Sequence, residues 1–170
     1  MWFVTQVMTG KEEEVRQLCL TRKVCSPADV FYFMSEQKKK VKGEMTRVLR
    51  PLFPGYLFFE ISTMEDAAEL KQQLRKVPAM TKLLSAGEDI VAVYPEEENL
   101  LRILGGENHV IDASTGIIEG DQVKVMQGPL RGQEALICHI DRHKRKAILQ
   151  VHLFNRTIDM PVGLEIIKRI

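Results

Sequence analysis

The chain has 170 residues, with 24 Lys and Arg against 23 Asp and Glu, and its formal net charge is +1. That balance excludes a protein held to nucleic acid by charge spread over its whole surface. A hydrophobic fraction of 45% suits a globular chain of one or two domains and excludes a disordered or fibrous build.

In chain order, Trp2 to Val7 is an aromatic and β-branched run that predicts a strand. Thr9-Gly10-Lys11-Glu12 has the spacing of a capping box, in which threonine hydroxyl and glutamate satisfy each other's backbone donors. Val15, Leu18 and Cys19 follow at helical spacing, so the first strand leads into an amphipathic helix. Val30 to Met34 and Tyr56 to Ile61 read as two further strands. The charged span Ser35 to Arg50 between them is too polar for core and reads as a long exposed hairpin. Ser62 with Glu65 repeats the capping-box spacing ahead of Ala67, Leu70 and Leu74, one face of a second helix. Ile90 to Tyr94 predicts another strand. Pro95 then opens a third helix, with Glu96, Glu97 and Glu98 at the positive end of its dipole, Leu100, Leu101 and Leu104 on one side, and Gly105-Gly106 at its end. Strands interleaved with about three helices predict an α+β sandwich over residues 1–107.

Residues 108–116 read as a linker, with Asp112 to Gly116 as a polar hinge. From 117 to 170 five short strands are predicted, near Gln122 to Val125, Glu134 to Ile140, Ala147 to Leu153, Arg156 to Met160 and Glu165 to Lys168. Short strands so closely spaced by turns predict a small β-barrel. The charge is divided in the same way. Leu20 to Glu60 carries 8 basic and 4 acidic residues, Ile61 to Gly116 carries 5 and 10, and Ile117 onward carries 9 and 6. The near-neutral total therefore conceals two basic regions separated by an acidic one.

No apolar run approaches the ~18 residues of a membrane span, and no leader-like segment opens the chain, so a cytoplasmic protein with no membrane partner is expected. The three cysteines, Cys19, Cys25 and Cys138, have no framework or zinc-knuckle spacing and read as free buried thiols. His139 and His143 lie on a predicted strand and turn with no HExxH pattern around them, Cys25 lacks a visible base, and no phosphate-cradling glycine loop is present. Neither catalysis, metal nor cofactor is predicted.

Pro51-Leu52-Phe53-Pro54-Gly55-Tyr56-Leu57-Phe58-Phe59, preceded by Trp2, Gly10-Lys11-Glu12 and Pro27, resembles the N-terminal (NGN) domain of NusG-type transcription factors. Gly120-Asp121-Gln122-Val123-Lys124-Val125 with Gly128-Pro129-Leu130-Arg131-Gly132 resembles the KOW motif, the SH3-like barrel that follows it in that family. The order and spacing match over nearly the whole chain. The resemblance implies an NGN domain at 1–107 and a KOW domain at 117–170. The turn Arg142-His143-Lys144-Arg145-Lys146 and the closing Val162-Gly163-Leu164-Glu165 resemble specialised paralogs of the LoaP antiterminator kind. Asn155 after Leu153-Phe154 stands where the family often has glycine; asparagine can take the same left-handed turn.

Strand alternation puts Tyr56 and Phe58 on one face and Leu57 and Phe59 on the other, so this strand is apolar on both sides. In the family, the strand and the last helix of the domain grip the clamp helices of RNA polymerase. The resemblance carries that role to Phe53, Tyr56, Phe58, Leu100 and Leu101. Leu57, Phe59, Leu70 and Leu74 read as ordinary core, and Pro54-Gly55 as the turn that sets the tilt of Tyr56. Lys38, Lys39, Lys40, Lys42, Arg47 and Arg50 in the hairpin form a candidate contact to upstream DNA or nascent RNA; Arg131, Arg142, Lys144, Arg145 and Lys146 form a second. The expected function is polymerase-bound antitermination by a monomer, as an operon-specific paralog able to contact a nascent RNA hairpin. The KOW partner implied by the family is ribosomal protein S10 or Rho. Two alternatives stay open: a housekeeping NusG that links polymerase to Rho or the ribosome, and a ribosome-associated RNA-binding protein.

Overall fold

A computed structural model describes residues 1–26, 29–78 and 90–170. Pro27 of the family-like motif lies outside them. The chain forms two compact units, Met1–Tyr32 with Phe53–Glu98, and Phe33–Leu52 with Asn99–Ile170. Among the described residues no helix is long and apolar enough to cross a membrane.

The first unit is built on an antiparallel sheet in the order β2-β5-β1-β6, from β1 (Trp2–Gln6), β2 (Val30–Phe31), β5 (Tyr56–Glu60) and β6 (Val91–Ala92). On one face, Phe3, Val30, Leu57 and Phe59 pack with Val15 and Cys19 of α1 (Glu12–Thr21) and with Ala67, Leu70 and Leu74 of α2 (Met64–Leu74). These are the helical faces legible from residue spacing. The other sheet face is aromatic. Trp2 meets Phe31 edge-on at a ring separation of 5.0 Å, Phe31 stacks on Phe58 at 5.6 Å, and Phe53 lies 5.9 Å from Phe58. Such contacts are worth about 0.5–1.5 kcal/mol each beyond area burial.

The capping signals behave differently at the two helices. Thr63 accepts from Asp66 N at 3.1 Å while the Asp66 carboxylate accepts from Thr63 N at 3.2 Å, a complete capping box one residue beyond the Ser62 and Glu65 expected. At α1 the predicted box is absent. Lys11 is the N-cap, without a side-chain bond, and Glu12 is buried, accepting from Gly55 N at 2.6 Å. The carboxylate serves an orphan donor from the Pro54-Gly55 turn instead of its own helix end. The third helix, α3 (Pro95–Gly105), begins where proline and acidic residues predict, and Glu97 Oε2 accepts from Tyr94 N at 3.0 Å.

The second unit contains the predicted hairpin, β3 (Met34–Val41) and β4 (Glu44–Pro51), closed by a two-residue turn at Lys42-Gly43 whose φ values are both positive, 51° and 87°. That turn matches the twist of the paired strands. The predicted strand Val30 to Met34 is split: β2 joins the first unit's sheet, and Met34 starts β3. The root of the hairpin is less exposed than its composition predicts, since Ser35 and Gln37 are buried.

The barrel order is β10-β11-β12-β8-β9, from β8 (Ser114–Glu119), β9 (Gln122–Gln127), β10 (Ile137–Asp141), β11 (Lys146–Leu153) and β12 (Arg156–Arg169). Five strands form, though not the five expected. The two last predicted strands are one, β12, which pairs antiparallel with β11 and then parallel with β8. Ser114–Gly116, read as hinge, belongs to β8, while β7 (Val110–Ile111) pairs parallel with β3, so much of 108–116 is in strands. Ser114 is buried because its Oγ accepts from Leu130 N at 3.2 Å, across the KOW-like loop. Gly128 of that loop has φ +101° and passes so close to Ser114 that an added Cβ would lie 2.7 Å from its Cα. Phe154 and Asn155 turn the chain with φ of 54° and 59°, so the asparagine adopts the left-handed conformation expected of it.

Candidate functional site: an aromatic strand and a basic groove

In the first unit, Gly55 sets up the aromatic strand. Its φ is +83°, and an added Cβ would meet Val7 O at 3.0 Å, so only glycine lets the turn approach the end of the first strand this closely. The chain then enters β5 with Tyr56 half-buried, its phenol oxygen accepting from Gln6 Nε2 at 3.0 Å. Its ring lies 6.4 Å from that of Phe53. Phe53 and Phe58 share this face but are interior, 4% and 0% exposed. Of the five residues assigned to polymerase contact by resemblance, Tyr56 and Leu100 are half-buried, whereas Phe53, Phe58 and Leu101 are buried. Leu100 and Leu101 belong to the second unit.

In the second unit, the two basic clusters, remote in sequence, meet. Lys38, Lys39, Lys40 and Arg50 of the hairpin and Lys144, Arg145 and Lys146 of the β10–β11 turn line one groove of about 440 Å³, together with Gln37, Val48 and His143. The turn is shaped by Asp141, whose Oδ1 accepts from Lys144 N at 2.9 Å and whose carboxyl is held below its usual range chiefly by that bond. The other predicted nucleic-acid residues lie elsewhere. Lys42 sits at the hairpin tip, Arg47 pairs with Glu36 at 3.6 Å, Arg131 is in the loop Gly128 to Gly132, and Arg142 lines a neighbouring depression with His139 and Ile166. Among the described residues, Lys39, Lys40, Arg50 and Lys146 have no carboxylate partner, so their charge is available to an anionic ligand.

Two residues of this region escape the sequence. Gln37 is buried beside the lysines. Ser35 Oγ donates to Pro161 O at 3.0 Å, which leaves its lone pairs to accept from Gln37 Nε2 at 3.3 Å and fixes the amide's orientation. Gln37 Oε1 then has no partner among the described residues. Glu165, read as part of a closing segment and the start of the last predicted strand, reaches both clusters: Lys38 Nζ lies 2.5 Å from Oε2, and Arg145 Nε 3.4 Å from Oε1. The Lys38 hydrogen bond foremost, helped by the Lys38 charge and by Arg145, holds its carboxyl below the ordinary glutamate range against the opposing effect of burial. No sequence spacing could reveal this pairing, which β12 creates by running past the hairpin and the turn.

The barrel has a second depression, about 740 Å³, between its open edges β9 and β10, where Ile118, Val123, Ile137 and Ile140 mix with Asp121, Glu134 and Arg169. Of the cysteines, burial pushes Cys19 up to about 12 and Cys25 to about 11, while Cys138 on β10 is exposed, contrary to the expectation of a buried thiol. It lies where the pairing register with β11 shifts between Ile137 and His139, and both Cys138 and His139 are exposed there. Among the described residues, no group of three or more His, Cys, Asp or Glu is placed to hold a metal ion.

Residues 1–102 match the family described as transcription termination factor nusG, and residues 119–154 match the KOW motif. The transcription termination/antitermination protein NusG of Thermus thermophilus is 27% identical over 96% of this chain and 94% of that protein. The transcription elongation factor Spt5 of Methanocaldococcus jannaschii is 23% identical over 98% of this chain and 92% of that protein. A solved structure described as domain interaction in Thermotoga maritima NusG aligns with a TM-score of 0.50 at 22% identity, covering 97% of this chain and 93% of that one, a likeness of fold.

Proposed function

Because the chain belongs to the NusG family of transcription factors, we propose that it binds RNA polymerase during elongation and promotes processive antitermination, as an operon-specific paralog that also contacts a hairpin in the nascent RNA. The observation that carries the RNA contact is the convergence of hairpin and barrel-turn cations on one groove. Clustered cations at a phosphate backbone release condensed counterions, which gives affinity without base readout. The polymerase contact rests on Tyr56, a half-buried phenol at the end of a strand whose neighbours are interior. Phe53 and Phe58 support it from beneath. Leu100 would add a contact from its own unit. The depression between β9 and β10 is the proposed seat of a KOW partner, S10 or Rho by family resemblance. Upstream DNA is the other backbone the groove could follow.

Replacing Lys38, Lys39 and Lys40 with alanine tests the groove. Affinity for an RNA stem-loop should fall, and the slope of log K against log salt should flatten by up to about 0.7–0.9 for each phosphate no longer neutralised. Unchanged affinity and slope would remove the RNA contact. A housekeeping role is the second reading, favoured by the names of the relatives. Transcript profiling of a deletion strain separates the two: a few affected operons for a paralog, a genome-wide change for the housekeeping factor.

A further inference from the structure

Seven cations line the groove, and no carboxylate lines it. One stands directly behind them. Glu165 takes Lys38 from the hairpin wall with one oxygen and Arg145 from the turn wall with the other. A carboxylate and a phosphate offer such cations the same kind of charge-assisted acceptor.

Building on the groove reading, we infer that Lys38 and Arg145 form the phosphate-binding point where the two walls act together, and that Glu165 occupies this point in the free protein as an internal competitor that a ligand phosphate must displace. The alternative role, a clamp holding hairpin to barrel, is already filled. Ser35 Oγ bonds Pro161 O at 3.0 Å, and Ala113 N donates to Glu36 Oε1 at 3.1 Å. Backbone approach at Gly163 is so close that an added Cβ would lie 2.5 Å from Glu36 O. The three charged side chains are each about a third exposed, at 31%, 29% and 35% for Lys38, Glu165 and Arg145. Ion pairs in such positions are weak, so exchange for a ligand anion is cheap.

The device selects by charge density. A single phosphate gains little by replacing one anion with another. A polyanion that also engages Lys39, Lys40, Lys144 and Lys146 gains enough to displace Glu165. Seven cations against a single aromatic ring, His143, line the groove, so it is built for backbone charge more than for base stacking, and the fitting ligand is the doubled backbone of a paired RNA stem.

The test is fluorescence anisotropy of the full chain with a labelled RNA stem-loop over a series of salt concentrations. Glu165→Gln should tighten binding about three- to tenfold and steepen the salt slope by roughly one, as freed cations meet phosphate. Lys38→Ala should cost more affinity in the Glu165→Gln background than in the unmodified one. Binding by Glu165→Gln that is equal or weaker, with an unchanged slope, overturns the inference. A readout without substitution is the Glu165 carboxyl carbon resonance, which should shift when the stem-loop is added to unmodified protein; a resonance that stays in place at saturation also overturns it. If alanine at Lys144 and Lys146 leaves affinity and slope unchanged, the groove reading itself falls and this inference with it. If those substitutions weaken binding while Glu165→Gln fails to tighten it, only the role of Glu165 falls.

Discussion

Tyr56 and Phe58 stand two positions apart on the same face of β5, and their surroundings divide their roles. Phe58 is wholly enclosed by Trp2, Phe31 and Phe53, so Phe58→Ala should cost about 3–5 kcal/mol of stability, read as the shift in a urea midpoint. Loss of function in that variant would report unfolding. The cysteines give a second residue-scale test. Burial holds the Cys19 and Cys25 thiols protonated well above neutrality, whereas Cys138 is exposed. At pH 8 an alkylating reagent should therefore label Cys138 first, as read by peptide mass spectrometry; early labelling of Cys19 in the native protein would contradict its enclosure. Gly128 gives a third. Its positive φ and close approach to Ser114 predict that Gly128→Ala costs about 1–3 kcal/mol and lowers the barrel's melting temperature; an unchanged melting temperature would contradict the strain.

At the scale of elements, what the sequence discloses depends on whether the signal is local. The alternation in β5, the helical faces of α1 and α2, and the start of α3 at Pro95 follow from near neighbours and were legible. The hairpin was legible too from the polar span Ser35 to Arg50, although that polarity hid the burial of Ser35 and Gln37 at its root. What escaped was set at long range. Thr9 and Glu12 have capping-box spacing, but a turn forty residues on claims the Glu12 carboxylate. Ser114–Gly116 is polar and small, like a hinge, yet forms a strand because it pairs with β12 and β9, with the Ser114 hydroxyl taken by Leu130 N. The basic clusters were both visible, their union in one groove was not, and nothing marked Glu165 as the link between them. The pairing has a pH consequence. Because its folded pKa is depressed, Glu165 adds stability that is present above the unfolded glutamate value and is lost as pH falls through the folded one. Acid titration of Glu165→Gln should lack that component, and an identical acid limb in both proteins would count against the ion pair.

At the scale of the molecule, the hairpin Phe33–Leu52 shares a unit with the barrel although the first unit's residues flank it on both sides in sequence. Hydrogen exchange should then give Ser35 and Gln37 amides the protection of β12, not that of β5. Protection tracking β5 would mean that the division is wrong. The net charge of +1 also takes on a spatial meaning: a basic groove in one unit offset by acidic residues elsewhere, which suits the proposed local contact with nucleic acid. A factor of this kind needs its main hold on a protein surface, and the proposed polymerase contact puts that hold at Tyr56. The direct measurement is polymerase binding and terminator readthrough by Tyr56→Ala, alongside its melting temperature. Affinity should fall about tenfold or more and readthrough should drop to the level without factor, while the melting temperature stays within a few degrees of the unmodified protein; unmodified binding and readthrough would contradict the central claim.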